Sequence, residues 1–247
     1  MTQPLLQPRV DVLHARELRL VEEPLPPLSP EHEQARDRVW EEKTQANPGL
    51  FDGPVIACAG IDHCGPHTLI LRWTRVTYRH YALRWVPGAD ALPSLFVDVL
   101  QPTDDGALLA ARMSSPTAAP GRWQLPGGSV DHPGASDSLD TAALRHNAAR
   151  ELAEETGIDT PPQDLVLWTV TRGTTGNIGV HFTAPPRPAA FIRERFAALL
   201  ASAATTGQEP ELDKIAFLER PADLENLPGQ HVDYLKPITD RYLQATS

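Results

Sequence analysis

The sequence predicts an α/β protein, a sheet held between layers of helices, with a β-rich extension at its N-terminus. Three observations predict it. Short runs rich in β-branched and aromatic residues recur along the chain, a long helical stretch interrupts them near residue 150, and two further helical stretches follow. The apolar share of 41% is enough to build a core, and 247 residues suit one large domain or one with a smaller unit appended.

In the extension, Arg16–Glu22 reads as a strand, and Pro24, Pro26, Pro27 and Pro30 disfavour regular structure after it. Ser29-Pro30-Glu31 then opens a helix, because serine caps, proline suits the first turn and an acid complements the N-terminal dipole. The helix runs to about Gln45 and stops before the turn Asn47-Pro48-Gly49. Val55–Cys58, Thr68–Tyr78 and Tyr81–Trp85 read as short strands. Between the first two, Cys58, His63, Cys64 and His67 superficially suggest zinc. Their Cys-x5-Cys spacing is wider than the usual roughly two to four residues and no second pair exists, so the segment reads as a loop.

A second unit begins after Pro87-Gly88-Ala89-Asp90. Leu95–Gln101, the turn Asp104-Asp105-Gly106 and Ala107–Arg112 predict a hairpin. Trp123-Gln124-Leu125 leads into Pro126-Gly127-Gly128, whose backbone can approach a metal or a phosphate closely. A helix is expected over about Ser138–Thr156, capped by Asp137 or Ser138, with Leu139, Ala143, Ala149 and Leu152 on its buried face. Gly157 stops it in the left-handed conformation. Leu165–Thr171 and Ile178–Thr183 are strands joined by a flexible Gly173–Asn177 link. Phe191–Ala203 is an amphipathic helix, Ile215–Leu218 a strand, and Val232–Gln244 a final helix that Pro237 kinks or delays.

The chemistry concentrates at the end of the central helix. Glu151, Glu154 and Glu155 stand at i, i+3 and i+4, so their carboxylates gather on one helix face. Three like charges repel, and hard divalent cations offset them because Mg²⁺ and Mn²⁺ prefer carboxylate oxygens. The competing reading is a solvated acidic helix face.

The residues around them decide between the two. Arg150-Glu151-Leu152-Ala153-Glu154-Glu155-Thr156-Gly157-Ile158, with Leu125-Pro126-Gly127-Gly128 upstream, resembles the two ends of a Nudix box, Gly-x5-Glu-x7-Arg-Glu-U-x-Glu-Glu-x-Gly-U, where U is a bulky aliphatic residue. The segment between the ends is about eight residues longer than the pattern, and Ala142 stands where the box has its first glutamate. Asp137 or Asp140 is a candidate to replace that glutamate. The resemblance implies the Nudix α/β/α sandwich with a mixed sheet, formed by residues 91–247 behind an extension of residues 1–90. It also implies a metal-dependent hydrolase that cuts the pyrophosphate of a nucleoside-diphosphate-linked compound. Glu151, Glu154 and Glu155 would hold Mg²⁺ or Mn²⁺ with a backbone carbonyl of Gly127 or Gly128, and Arg150 would pair with a glutamate and fix its rotamer. In the family the general base is a helix glutamate or an acid from a distant loop. Of Glu209 and Glu211, both in such a loop before the strand at Ile215, Glu211 is the chosen candidate.

For the substrate, Asn47–Pro54 and Thr77–Tyr81 are similar to segments of the Nudix subfamily that hydrolyses UDP-glucose and UDP-galactose. Tyr78 and Tyr81 would stack on uracil, and Arg79 would reach a phosphate or a base carbonyl, against the reading that all three are packing or surface residues. Arg172 and His181 read as surface or packed residues. Two alternatives stand beside a UDP-sugar: another substrate such as ADP-ribose, a dinucleotide or a biosynthetic intermediate, and a sensor that binds a nucleotide without cutting it. The net charge of −10 argues against a nucleic-acid partner, no apolar run is long enough to span a membrane, and two cysteines with no export signal suggest the cytoplasm.

Overall fold

The computed structural model describes residues 9–115, 117, 119–132, 134 and 137–246. Residues 1–8 of the N-terminal stretch and residues 133, 135 and 136 of the inserted segment lie outside the described residues.

The extension supplies β1 (Asp11–Leu13), β2 (Glu17–Glu22), helix α1 (Pro30–Ala46), β3 (Pro54–His63) and β4 (Thr68–Thr77). Ser29 caps α1 as expected, its side chain accepting from the His32 amide at 3.2 Å. The second unit supplies β5 (Leu95–Leu100), β6 (Leu108–Met113), β7 (Trp123–Gln124), β8 (Gly127–Ser129) and helix α2 (Thr141–Thr156). It ends with β9 (Val166–Arg172), β10 (Ile178–Thr183), helix α3 (Ala189–Thr206), β11 (Leu212–Leu218) and helix α4 (Leu235–Thr246).

Strand β5 shows how the layers form. Its side chains alternate across the sheet, as strand geometry requires. Leu95, Val97 and Val99 enter one core with Leu144, Ala148 and Leu152 of α2 and Ile192 of α3. Leu100 enters the other, with Trp123, Leu125, Leu235, Ile238 and Tyr242. Helices therefore cover both faces of a sheet ordered β1-β9-β10-β5-β8, in which β10 and β5 are parallel and the other pairs antiparallel. This is the mixed α/β sandwich the sequence predicts. Smaller sheets β11-β6-β7 and β2-β4-β3 flank it. Ala15, Leu18, Ile56, Leu69, Leu71 and Trp73 of the extension share the α2 core, and β1 pairs with β9. Leu152 is fully buried, so Leu152→Ala is expected to cost about 3 kcal/mol, read from urea unfolding.

Several local expectations need correction. Tyr81–Trp85 is not a strand: Tyr78–Trp85 forms a 3-10 helix packed on α1. Tertiary contact overrides β-propensity there, because the buried Tyr81 phenol donates to the Ile56 carbonyl at 2.7 Å. The predicted β5–β6 hairpin pairs only near its turn, by a Pro102↔Leu108 bridge, and the strands then diverge into different sheets. Helix α2 begins at Thr141, with Asp140 as its cap accepting from the Ala143 amide at 2.7 Å. Its buried residues are Leu144, Ala148, Ala149, Leu152, Glu155 and Thr156, whereas Leu139 is buried ahead of it and Ala143 only partly. In α4 the helix starts at Leu235 instead of Val232, the delay expected of Pro237, which falls in the first turn, where it is tolerated.

Cys58 is buried within β3 and Cys64 exposed, both free, and strand β3 runs on to His63 instead of yielding to a loop at Cys58. No helix among the described residues is long and apolar enough to cross a membrane.

Candidate active site

Helix α2 ends as its sequence requires. Gly157 adopts φ 74° and closes the helix through its amide to the Ala153 carbonyl. A side chain at Gly157 would lie 2.8 Å from the Arg195 carbonyl, so the left-handed turn also lets α3 approach. The last turn of α2 thereby faces the Gly127-Gly128 segment of β8.

Glu155 is 5% exposed and accepts a hydrogen bond from the Gly127 amide at 2.7 Å. Burial first, and then the charge of Glu151, push its carboxyl well above the ordinary carboxylate range; the Gly127 amide works against them. Glu151 lies so close to Gly128 that a Cβ there would meet its carboxylate at 2.6 Å. Burial also pushes the Glu151 carboxyl up, to about 7, with Glu211, Glu154 and Asp131 adding repulsion and Arg150 opposing it. Glu154 is the exposed member of the three.

Arg150 forms the hub. Its guanidinium reaches Asp131 at 2.6 Å, Glu151 at 2.7 Å and Glu154 at 2.7 Å, a planar fork serving three carboxylates. The sequence suggested a glutamate partner for Arg150; Asp131 was missed, since nothing in its local pattern distinguishes it from the other acids of the inserted segment. Asp140 is engaged as the helix cap, and the Asp137 carbonyl accepts from Arg75 at 2.9 Å.

Around these residues lies a cleft. One part, about 570 Å³, is bordered by Gly127, Gly128, Glu155, Glu211, Phe96 and Tyr234. Adjoining it, a part of about 610 Å³ runs along Glu151, Arg150, Asp131, Phe51, Pro54 and Tyr78. Glu211 borders both, on a loop pinned by the Ser114 amide, which donates to the Glu211 carbonyl at 2.8 Å. Glu209 borders the first part as well.

Of the three residues suggested for the base and phosphate, Tyr78 borders both parts of the cleft. Tyr81 is buried with its phenol engaged, as described. Arg79 is held by Asp52 at 3.0 Å and Asp37 at 3.6 Å. The structure thus brings Tyr78 to the cleft and ties the other two elsewhere.

Beneath the cleft floor lies a group the sequence did not reveal. Asp98 of β5 sits opposite Gly127 of β8 and His181 of β10, and its carboxylate binds His181 Nδ1; Nε2 of the same ring lies 2.7 Å from the Thr171 hydroxyl. His181 is fully buried, which agrees with a packed residue, and Arg172 is exposed at the end of β9. The Tyr234 ring stacks on Phe96, and burial together with the Asp98 charge raises its phenol well above the ordinary range. Asp98→Ala strands His181 Nδ1 in the core and is expected to cost about 3 kcal/mol, measured as a lowered urea midpoint.

The donor set fits a hard divalent cation in kind: carboxylate oxygens, two of them withdrawn from solvent, next to backbone that a side chain would obstruct. Among the described residues no three His, Cys, Asp or Glu side chains converge as a ready-made cation site. Arg150 holds Glu151 and Glu154, and the Gly127 amide holds Glu155. Chemically, the arrangement offers anionic oxygens, one loop acid and a space for a phosphate-bearing molecule.

Residues 94–242, more than half of the chain, match the family described as NUDIX domain. Nothing among curated proteins matches. Among solved structures, the MutT protein of Methanosarcina mazei Go1 is 22% identical at a TM-score of 0.41, covering 64% of this chain and 99% of its own. A bifunctional NMN adenylyltransferase/ADP ribose pyrophosphatase of Francisella tularensis, complexed with AMP and a Mn ion, is 14% identical at 0.40, covering 68% and 46%. NrtR of Shewanella oneidensis, complexed with a 27mer DNA, is 21% identical at 0.38, covering 62% and 61%.

Proposed function

The chain belongs to the NUDIX family of pyrophosphohydrolases, and from that premise we propose that it hydrolyses the pyrophosphate of a UDP-sugar, giving UMP and a sugar 1-phosphate. The observation that carries the hydrolytic reading is that Arg150, Glu151, Glu155 and Glu211 border one cleft, while Glu154, tied to Arg150, lines a neighbouring hollow with Glu151, Glu155 and Glu211. The sugar-nucleotide reading is supported by the place of the Asn47–Pro54 segment: Gly49, Leu50, Phe51, Gly53 and Pro54 border the same cleft, next to Glu151.

Nudix hydrolases generally use divalent metal ions. Here Glu151, Glu154 and Glu155 would hold Mg²⁺ or Mn²⁺, with a carbonyl of Gly127 or Gly128, and the ion would polarise phosphate oxygens and offset developing charge. Glu211 takes the proton of the attacking water as its oxygen bonds to phosphorus. The bridging P–O bond then breaks, and its electron pair leaves with one phosphate. Arg150 orients Glu151 and Glu154 and keeps their charges apart. Tyr78 offers a ring face to the base or sugar. The reading places the protein in the cytoplasm with a small nucleotide substrate and without a nucleic-acid partner.

The test is product release from UDP-glucose, ADP-ribose, CoA and a dinucleotide, with Mg²⁺ or Mn²⁺ and with chelator. UMP and glucose 1-phosphate are expected, and chelator is expected to abolish them. Cleavage of another compound alone would discard the UDP-sugar and keep the helix chemistry. Tight nucleotide binding without any cleavage would overturn hydrolysis in favour of a sensor.

A further inference from the structure

Next to the cleft, α1 and the 3-10 helix of Tyr78–Trp85 enclose a hollow of about 310 Å³ bordered by Trp40, Lys43, Tyr78, Tyr81, Arg84 and Trp85. Tyr78 and Leu50 belong to both the hollow and the cleft, so the two spaces are separated by one ring and one aliphatic side chain. The walls are aromatic: Trp40 meets Tyr78 edge-on at 6.2 Å, and Tyr78 meets Tyr81 at 5.6 Å.

Its charges are unusual for so acidic a chain. Lys43 Nζ lies 3.5 Å from the centre of the Trp85 ring. The Arg84 guanidinium lies 5.1 Å from the same ring and 5.5 Å from that of Tyr81. Arg36 and Arg79, nearby, both have carboxylate partners. Lys43 and Arg84 pair with no carboxylate among the described residues: Arg84 donates only to the Tyr81 carbonyl, at 3.0 Å. His80, buried beside the hollow, adds no charge to it. It is 4% exposed, and burial followed by the charges of Arg36 and Arg84 pushes its imidazole down to about 4, so it stays neutral. Trp85 stays 51% exposed, a large ring left open beside two cations.

Two cations without counter-charges, aimed over aromatic faces in a concave space, suit an anion carried on a ring. The ring lies against the aromatic walls and the anion takes the ammonium and guanidinium hydrogens. We propose that this hollow receives the end of the substrate remote from the reacting phosphates, and that it selects a moiety with an anionic group on a sugar-sized ring. The inference rests on the sugar-nucleotide reading and sharpens it: the sugar is an acidic or phosphorylated one.

The test measures affinity by calorimetry on the full chain in chelator, where nothing is cleaved. UDP-glucuronate is expected to bind about tenfold tighter than UDP-glucose. The double variant Lys43→Gln/Arg84→Gln, whose side chains lie outside the buried core, is expected to melt like the unaltered protein and to bind the two alike. Equal affinities in the unaltered protein, or a preference that survives in the variant, would overturn the proposal. Should neither UDP compound bind, glucose 6-phosphate against glucose reports on the hollow alone. A phosphate preference lost in the variant retains the hollow and discards the UDP-sugar reading, and no preference overturns the hollow. A preference between the two UDP compounds with neither of them cleaved in Mg²⁺ overturns UDP-sugar hydrolysis and leaves the hollow standing.

Discussion

Glu154→Gln is expected to lower kcat by about a thousandfold or more while leaving the unfolding midpoint unchanged. The side chain is 60% exposed and its one partner among the described residues is Arg150 at 2.7 Å, so the core does not depend on it. The amide matches the carboxylate in shape and removes only its charge. Arg150 keeps Asp131 and Glu151, so the hub persists. Turnover under saturating Mg²⁺, beside a thermal melt, checks both halves of the expectation. Full activity in the variant would remove Glu154 from the metal site.

The paired substitutions Gly127→Ala and Gly128→Ala are expected to lower activity alike and to differ in their effect on stability. A Cβ at Gly127 would lie 2.2 Å from the Val97 carbonyl oxygen and 2.5 Å from Asp98 Cα. Backbone of a central strand cannot yield, so a loss of about 3 kcal/mol is expected in urea, with activity lost alongside as the amide leaves Glu155. A Cβ at Gly128 instead meets the far end of a flexible side chain, the Glu151 carboxylate at 2.6 Å. Glu151 can swing aside at little cost, so stability is expected to hold while kcat falls by about a hundredfold. Wild-type stability in Gly127→Ala would contradict the close approach of β8 to β5. Wild-type turnover in Gly128→Ala would show that Glu151 need not stay where the glycine admits it.

What could be read in advance was local. The i, i+3, i+4 spacing put Glu151, Glu154 and Glu155 on one turn, Ser29 and Gly157 marked helix ends, and Ile178–Thr183 carried its strand in its own composition. These features depend on neighbours within about four residues, where backbone geometry leaves few options. The family followed from the same short motif. Apart from the exact start of α2, the main misreadings were decided at long range. Tyr81–Trp85 has strand composition but winds into a 3-10 helix because α1 packs over it and Tyr81 reaches Ile56, 25 positions away. Asp131 joins Arg150 across 19 positions, and Asp98 meets His181 across 83. No periodicity announces such pairs, since the loop and sheet register that bring them together are set by the packing of the whole core. The motif identifies the acidic helix, and the tertiary structure determines which side chains stand opposite it.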